Sequence, residues 1–415
     1  MDVDRPNVKW PKSHFKHWTR HILQDYGALE LADARASSLT NPIHPIYAHW
    51  NWSIFDSDDY YSIPPGRGAI PYANPLSGDD YQLLRPSLRL ASNFLTEPSL
   101  LPYWHALLFA DRVPLASKGV TNVRQGYVGG FASFTRTFDI NTNSFALSTT
   151  ELAKTQHALK ALADSTYLVF DPKENPGDWG FTSRYFTKRV APGFPGTACD
   201  ININILLLRA LQSHHLTISE RLRVQYFLAL AVVHEVAHAA HMARTAMLGS
   251  PRPSGTYRNE QWVHEPFFER DILAECGHAW EQNVLNGSQV PFEGNPECRF
   301  GLQFEKWPGS QGVSPDIPTR RKPKGWSTIY ALPMWFVQAM FTDKHWEDVR
   351  RYGAMQVRAP KGLGWRLFLE PGSAVDEDDE GISWDNSSRG RPVDENGVVW
   401  PVEEAGAPAD PMDID

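Results

Sequence analysis

Apolar residues recur along this chain at helical spacing in some segments and in strand-like alternation in others. The spacing predicts two helices, one near Leu84 to Leu95 and one near Pro98 to Ala110. Ser148-Thr149-Thr150-Glu151 reads as a helix start, because the serine hydroxyl can accept from an amide three residues on and the glutamate can reach back. A helix should follow through Leu152, Leu159 and Leu162. Tyr167 to Phe170 predicts a short buried strand ended by Asp171-Pro172. Ile201, Ile203 and Ile205 alternate with Asn202 and Asn204, which predicts a half-buried strand running to about Leu207. Thr217 to Glu220 is a second cap signal. It should open a long helix, about Glu220 to Met247, closed by Gly249, Ser250 and Pro251. A further helix is expected to begin at Pro266, since proline suits a first helical position, and to end at a left-handed cap at Asn286-Gly287. Ser327 to Arg351 reads as helical with an interruption at Pro333, and Asn41 to Asp80 and Gly309 to Gly325 read as loops.

Composition narrows the class. Of 415 residues, 42% are hydrophobic and 21% charged, so a sizeable core is possible. The net charge of -8 is uneven: residues 371–415 hold 13 Asp or Glu against two Arg, and the rest is close to neutral. That tail reads as disordered, because it has too little apolar surface to offset the entropy of ordering. No basic stripe points to nucleic acid, and no apolar run approaches a membrane span. Three cysteines make a poor disulfide framework, and the N-terminus lacks an apolar signal core, so a reducing cytoplasmic setting is the expectation.

The chemistry lies in the long helix, which contains Val233-His234-Glu235-Val236-Ala237-His238. Two histidines four apart on a helix differ by only about 40° in direction, so both imidazoles can reach one metal ion. Glu235 points aside from that pair yet within reach of a water at the metal, where a general base belongs. Other histidines carry less. His14, His17 and His21 share a face without a carboxylate and read as surface residues, and His214-His215 lies in a connection. His241 shares the ligands' face, where packing is an equal reading. His264-Glu265 and His278 lie close enough to hold substrate or a ligand. Tyr257 and Tyr330 are candidate oxyanion donors, and Cys276 reads as packed.

This segment resembles the active-site helix of the zincin superfamily of metallopeptidases, and the likeness covers roughly Ser148 to Gly287. More loosely, the chain resembles fungal-type proteins that carry a zincin core with long additions. The resemblance implies an α+β fold: a small mixed sheet beside the H-E-x-x-H helix, with mainly helical or irregular additions at both ends. It divides the chain into an aromatic, proline-rich region (1–147), a zincin-like metal-binding domain (148–305), a C-terminal extension (306–370) and the acidic tail (371–415). The sheet's edge strand beside the cleft would be Ile201–Leu207. His241 and Arg244 stand where the metzincin branch needs Gly and His. The gluzincin branch takes its third ligand, a Glu, from a later helix, and the helix from Pro266 offers Glu269, Asp271, Glu275 and Glu281. Glu275 is favoured because Ala274, Cys276 and Gly277 are small and would let two helices approach. Glycine inside a helix costs about 1 kcal/mol against alanine, so Gly277 should have a packing reason. Asp271 would orient a ligand, and Glu281 is the fallback. His234, His238 and Glu275 would thus hold Zn2+ with Glu235 as base, acting on a peptide or protein substrate. A scaffold that has lost catalysis, and a zinc hydrolase of a non-peptide amide or ester, are the alternatives.

Overall fold

A computed structural model describes residues 19–55, 73–114, 130–132, 137–139, 144–172, 179–185, 193–245, 248–251, 257–261, 265–268, 271, 274–307, 325–369 and 391–393. The main sheet is built from Trp52–Phe55 (β1), Ala73–Pro75 (β2), Thr166–Asp171 (β3), Gly180–Tyr185 (β4) and Ala198–Asn204 (β5), in the order β2-β1-β3-β5-β4. The inner three strands run parallel, and β2 and β4 flank them antiparallel. Every residue of β5 is buried. Strands covered on both faces carry near-continuous apolar runs, and here the alternation with Asn202 and Asn204 is a buried polar row instead of a wet face. The half-buried edge strand expected at Ile201–Leu207 is therefore corrected. β5 is an inner strand, the edge is β4, and the strand ends at Asn204. The Asn204 side chain accepts the Leu206 N–H at 2.9 Å and caps the next helix, Ile205–Gln212.

Helices cover the sheet: Gly78–Thr96 (α1), Leu101–Phe109 (α2), Thr149–Ala161 (α3), Ile205–Gln212 (α4) and Ile218–Arg244 (α5). The helices read at Leu84–Leu95, at Pro98–Ala110 and after Ser148 are present, the second entered through a 3-10 turn at Pro98–Leu100. Both expected caps form full capping boxes, Ser148 with Glu151 and Thr217 with Glu220. α5 is apolar on nearly all sides and runs through the core, as such a helix must. Its one deeply buried guanidinium, Arg223, donates to the carbonyls of Cys298 and Leu29.

The second sheet is antiparallel throughout: Ser288–Pro291 (β6), Leu302–Glu305 (β7), Gly325–Ala331 (β8), Gly364–Leu369 (β9) and Arg391–Val393 (β10), in that order. The helical reading of Ser327–Arg351 is corrected at its start, since 325–331 is a strand. The apolar run there serves a strand buried between β7 and β9, and the helices begin only after Pro333, as Met334–Met340 and Asp343–Tyr352. The main sheet crosses the division at 147/148, because β1 pairs with β3, and β8 pairs with β7 across 305/306. A single apolar cluster runs from Leu39 to Ala359, so those divisions do not separate independent cores. Of the acidic tail only 391–393 is described, and it pairs with β9. The expected loop at Gly309–Gly325, apart from Gly325 itself, and the rest of the tail lie outside the described residues. The chain is thus a mixed helix-and-strand protein with a small mixed sheet. Among the described residues no helix is long and apolar enough to cross a membrane.

Candidate metal centre

α5 packs along β5 and β4, and its second half presents His234 and His238 one turn apart, ring centroids 5.1 Å from each other. The facing wall is a run of chain that is not the helix expected from Pro266. Phe267–Phe268 is a short strand beside Phe131–Ala132, and the helix (α6) begins only at Cys276 and ends at Leu285. Two phenylalanines after Pro266 favour a buried strand, where Tyr103 stacks on Phe268 at 4.8 Å. The expected end at Asn286 holds, with φ of 75° in the left-handed region.

Glu275 is therefore the residue that caps α6, not one inside it. One of its oxygens, Oε2, accepts the His278 N–H. The other, Oε1, lies 2.7 Å from His238 Nε2 and 3.2 Å from His234 Nε2. The ligand atoms of His234, His238 and Glu275 all lie within 4.8 Å of one another. Gly277 explains itself here. A Cβ at that position would sit 2.3 Å from the His234 ring, so only glycine lets the first turn of α6 close against the imidazole.

The outer nitrogens of both imidazoles are tied. His234 Nδ1 donates to Glu281 Oε1 at 2.7 Å, and His238 Nδ1 donates to Glu265 Oε1 at 2.5 Å. A carboxylate can only accept in such a pair, so each Nδ1 carries a hydrogen, and each Nε2 turns inward to Glu275 as the nitrogen that would face a cation once its own proton is lost. The carboxylates are themselves held. Glu281 Oε2 accepts the Gln289 N–H at 3.1 Å, and Glu265 Oε2 accepts the Cys276 N–H at 2.6 Å. Beyond Glu281, His278 Nδ1 pairs with Ser288 Oγ at 3.0 Å, and its ring stacks on Trp307 at 3.9 Å.

Electrostatics follow from this crowding. Burial works against charge on His234 and His238, yet the glutamates around them lift both well above the ordinary imidazole range. Burial alone would raise the Glu281 carboxyl, but His278 and His234 hold it down at about 2. Glu275 is likewise pushed well below its usual range by the two histidines against the cost of burial. Burial raises Glu235, with His238, His234 and a Thr182 hydrogen bond pulling the other way. The Thr182 hydroxyl lies 2.8 Å from Glu235 Oε2.

The donor set fits a divalent cation. Two imidazole nitrogens and one carboxylate oxygen would suit a divalent ion such as zinc, and carboxylates on the outer nitrogens are the usual support of such a site. The surrounding glutamates carry negative charge that such a cation would neutralise.

The four residues singled out from the sequence, His234, Glu235, His238 and Glu275, come together. Glu281, the fallback ligand, meets the outer nitrogen of His234 and so holds that ring, and with His234 and His278 it also forms a second grouping close enough to hold an ion. Asp271 is corrected. It does not lie one turn before Glu275 on a shared helix, because the helix starts at Cys276 and Glu275 is its extended cap, and it enters no metal-binding grouping among the described residues. Glu265, read only as a possible contact, holds His238. Glu269 and His264 lie outside the described residues, as do the side chain of Tyr257 and both His14 and His17. His21 is an exposed partner of Asp25, and His214 and His215 are exposed. His241 is buried near Thr245, and Tyr330 stacks on Phe304 in the second sheet. The Cys276 thiol is buried and raised well above its ordinary value by that burial, which leaves it inert. Thr182 and Trp307 carried no legible signal, because neither belongs to a spaced motif. No family model, curated protein or solved structure matches this chain.

Proposed function

We propose that this protein is a zinc-dependent hydrolase of peptide amides, a gluzincin-like metallopeptidase with a zincin-type core. One observation carries the reading: the Nε2 atoms of two histidines and one oxygen of Glu275 converge, while a separate carboxylate holds each outer nitrogen. Packed core histidines would not need three glutamates brought to them at the cost of burial. The core reading draws further support from the H-E-x-x-H helix lying beside a mixed sheet whose antiparallel edge is β4.

His234, His238 and Glu275 would hold the zinc, and Glu281 and Glu265 keep the imidazoles turned inward. Zinc, when bound, supplies Lewis acidity that brings the pKa of a water to about 7 and polarises a carbonyl. Glu235 takes a proton from the attacking water oxygen and delivers it to the departing amine nitrogen. Among the described residues β4 pairs only with β5, so its other edge can take an extended peptide backbone as an added strand.

Glu235→Gln tests the reading. We expect cleavage of a mixed peptide library to fall at least about 100-fold while one equivalent of zinc stays bound. Undiminished cleavage by that variant would overturn the mechanism. A wild-type protein that folds without zinc and cuts no peptide would make the chain a scaffold instead. Cleavage of amide or ester dyes with no peptide cleaved would move the substrate class.

A further inference from the structure

We propose that Thr182, on the edge strand, is a positioning residue for Glu235: its hydroxyl fixes where the carboxylate lies beside the two histidines. The inference rests on the hydrolase reading for its catalytic consequence, but its geometry stands by itself. Gly180 and Thr182 are two apart on β4 and so share one face of the strand. That face meets α5 at Glu235. The Thr182 oxygen lies 2.8 Å from Glu235 Oε2 and 3.0 Å from the Glu235 carbonyl oxygen, so its single hydrogen has two acceptors on one residue. Gly180 closes the other side. A Cβ there would stand 3.0 Å from Glu235 Oε1 and 3.1 Å from its Cγ, tighter than carbon and oxygen normally pack.

Glu235 is thus gripped from the sheet, not from its own helix. A glutamate on a helix has three side-chain torsions and would otherwise sample several positions. A general base must sit within hydrogen-bond reach of the proton it takes, and losing that placement costs rate without loosening the metal. The grip also ties the base to the strand whose outer edge, unpaired among the described residues, is the peptide-pairing candidate. Backbone and base are then set by the same element.

Thr182→Val keeps the branched shape that suits a strand and removes only the hydroxyl, and Thr182→Ser restores a hydroxyl. We expect the valine variant to lose about 10- to 100-fold in kcat on peptide substrate, the range for a lost hydrogen bond to a charged group. KM and zinc content should be unchanged, and the serine variant should recover most of the rate. A second readout needs no turnover. Crystal structures of wild type and Thr182→Val should show the Glu235 carboxylate held against β4 in the first and swung away in the second. A carboxylate that stays in place in the valine variant, or a kcat within about twofold of wild type, would overturn the proposal. A wild type that binds no zinc and cuts no peptide would sink the hydrolase reading instead, and the pair of crystal structures would still decide whether Thr182 holds Glu235.

Discussion

The two walls of the candidate metal centre are made differently. The histidine wall is part of one 27-residue helix with a capping box, buried on almost every side. The carboxylate wall is a broken path from Glu265 to Glu281 that includes a two-residue strand and a helix start. In the first, the helix itself fixes the spacing of the two histidines. In the second, each glutamate is fixed individually by a backbone amide: Glu265 by Cys276, Glu275 by His278 and Glu281 by Gln289. The lesson is that a regular element can supply two matched ligands cheaply, whereas an irregular one needs a separate hydrogen bond for each carboxylate.

If that contrast is right, damage where the walls touch should be the most severe. Gly277→Ala drives a methyl group into the His234 ring, which Glu281 prevents from turning aside. We expect about 1–3 kcal/mol of destabilisation from overpacking and loss of stoichiometric zinc. Thermal unfolding with metal analysis checks both. A variant that unfolds and binds zinc like wild type would contradict the close approach.

The two holders should differ next. Removing a carboxylate behind a metal-bound imidazole costs about 10- to 100-fold in affinity. Glu281 is the more enclosed, its side chain 6% exposed against 18% for Glu265. We expect zinc titrations of Glu281→Ala and Glu265→Ala to show weakening in both and the larger loss at Glu281. Equal, wild-type affinities would remove the holders' role.

Acidity sharpens the comparison again, since the walls titrate in opposite senses in zinc-free protein. The Glu281 carboxyl is moved from 4.5 to about 2, so its contribution is present above about pH 4.5 and is lost as pH falls toward 2. His234 and His238 are raised from 6.5, so theirs is present below about pH 6.5 and is lost as pH climbs through the raised values. Protein held in chelator should therefore be most stable between about pH 4.5 and 6.5. Zinc should move the optimum upward, because protons compete for the same nitrogens. Unfolding scans across pH with and without zinc read this out, and an optimum that zinc does not move would contradict it.

The smallest effect serves as a control far from either wall. Ser148→Ala removes half of the capping box on α3 and should cost about 1 kcal/mol, with zinc affinity untouched.

The same contrast explains what could be read from the sequence. The histidine wall was legible because a helix repeats at a fixed period and its cap has a recognisable four-residue signature. Gly277 was legible as an oddity that needed a reason, and the close ring supplied it. Glu275 is legible from its small neighbours, but its place as a helix cap is hidden, since Pro266 reads as a helix start while the following Phe267–Phe268 is a strand. Thr182 and the inner position of β5 depend on which strands lie side by side, and alternation along one strand says nothing about its neighbours. The strand at 325–331 is hidden for a different reason: a short apolar run does not declare its period.

Zinc-edge X-ray absorption on protein loaded with one equivalent of zinc tests the central claim most directly. The account requires two imidazole nitrogens and oxygen donors at about 2.0–2.2 Å, with one imidazole lost in His238→Ala. Protein that takes up no zinc, or zinc bound without imidazole signatures, would contradict it.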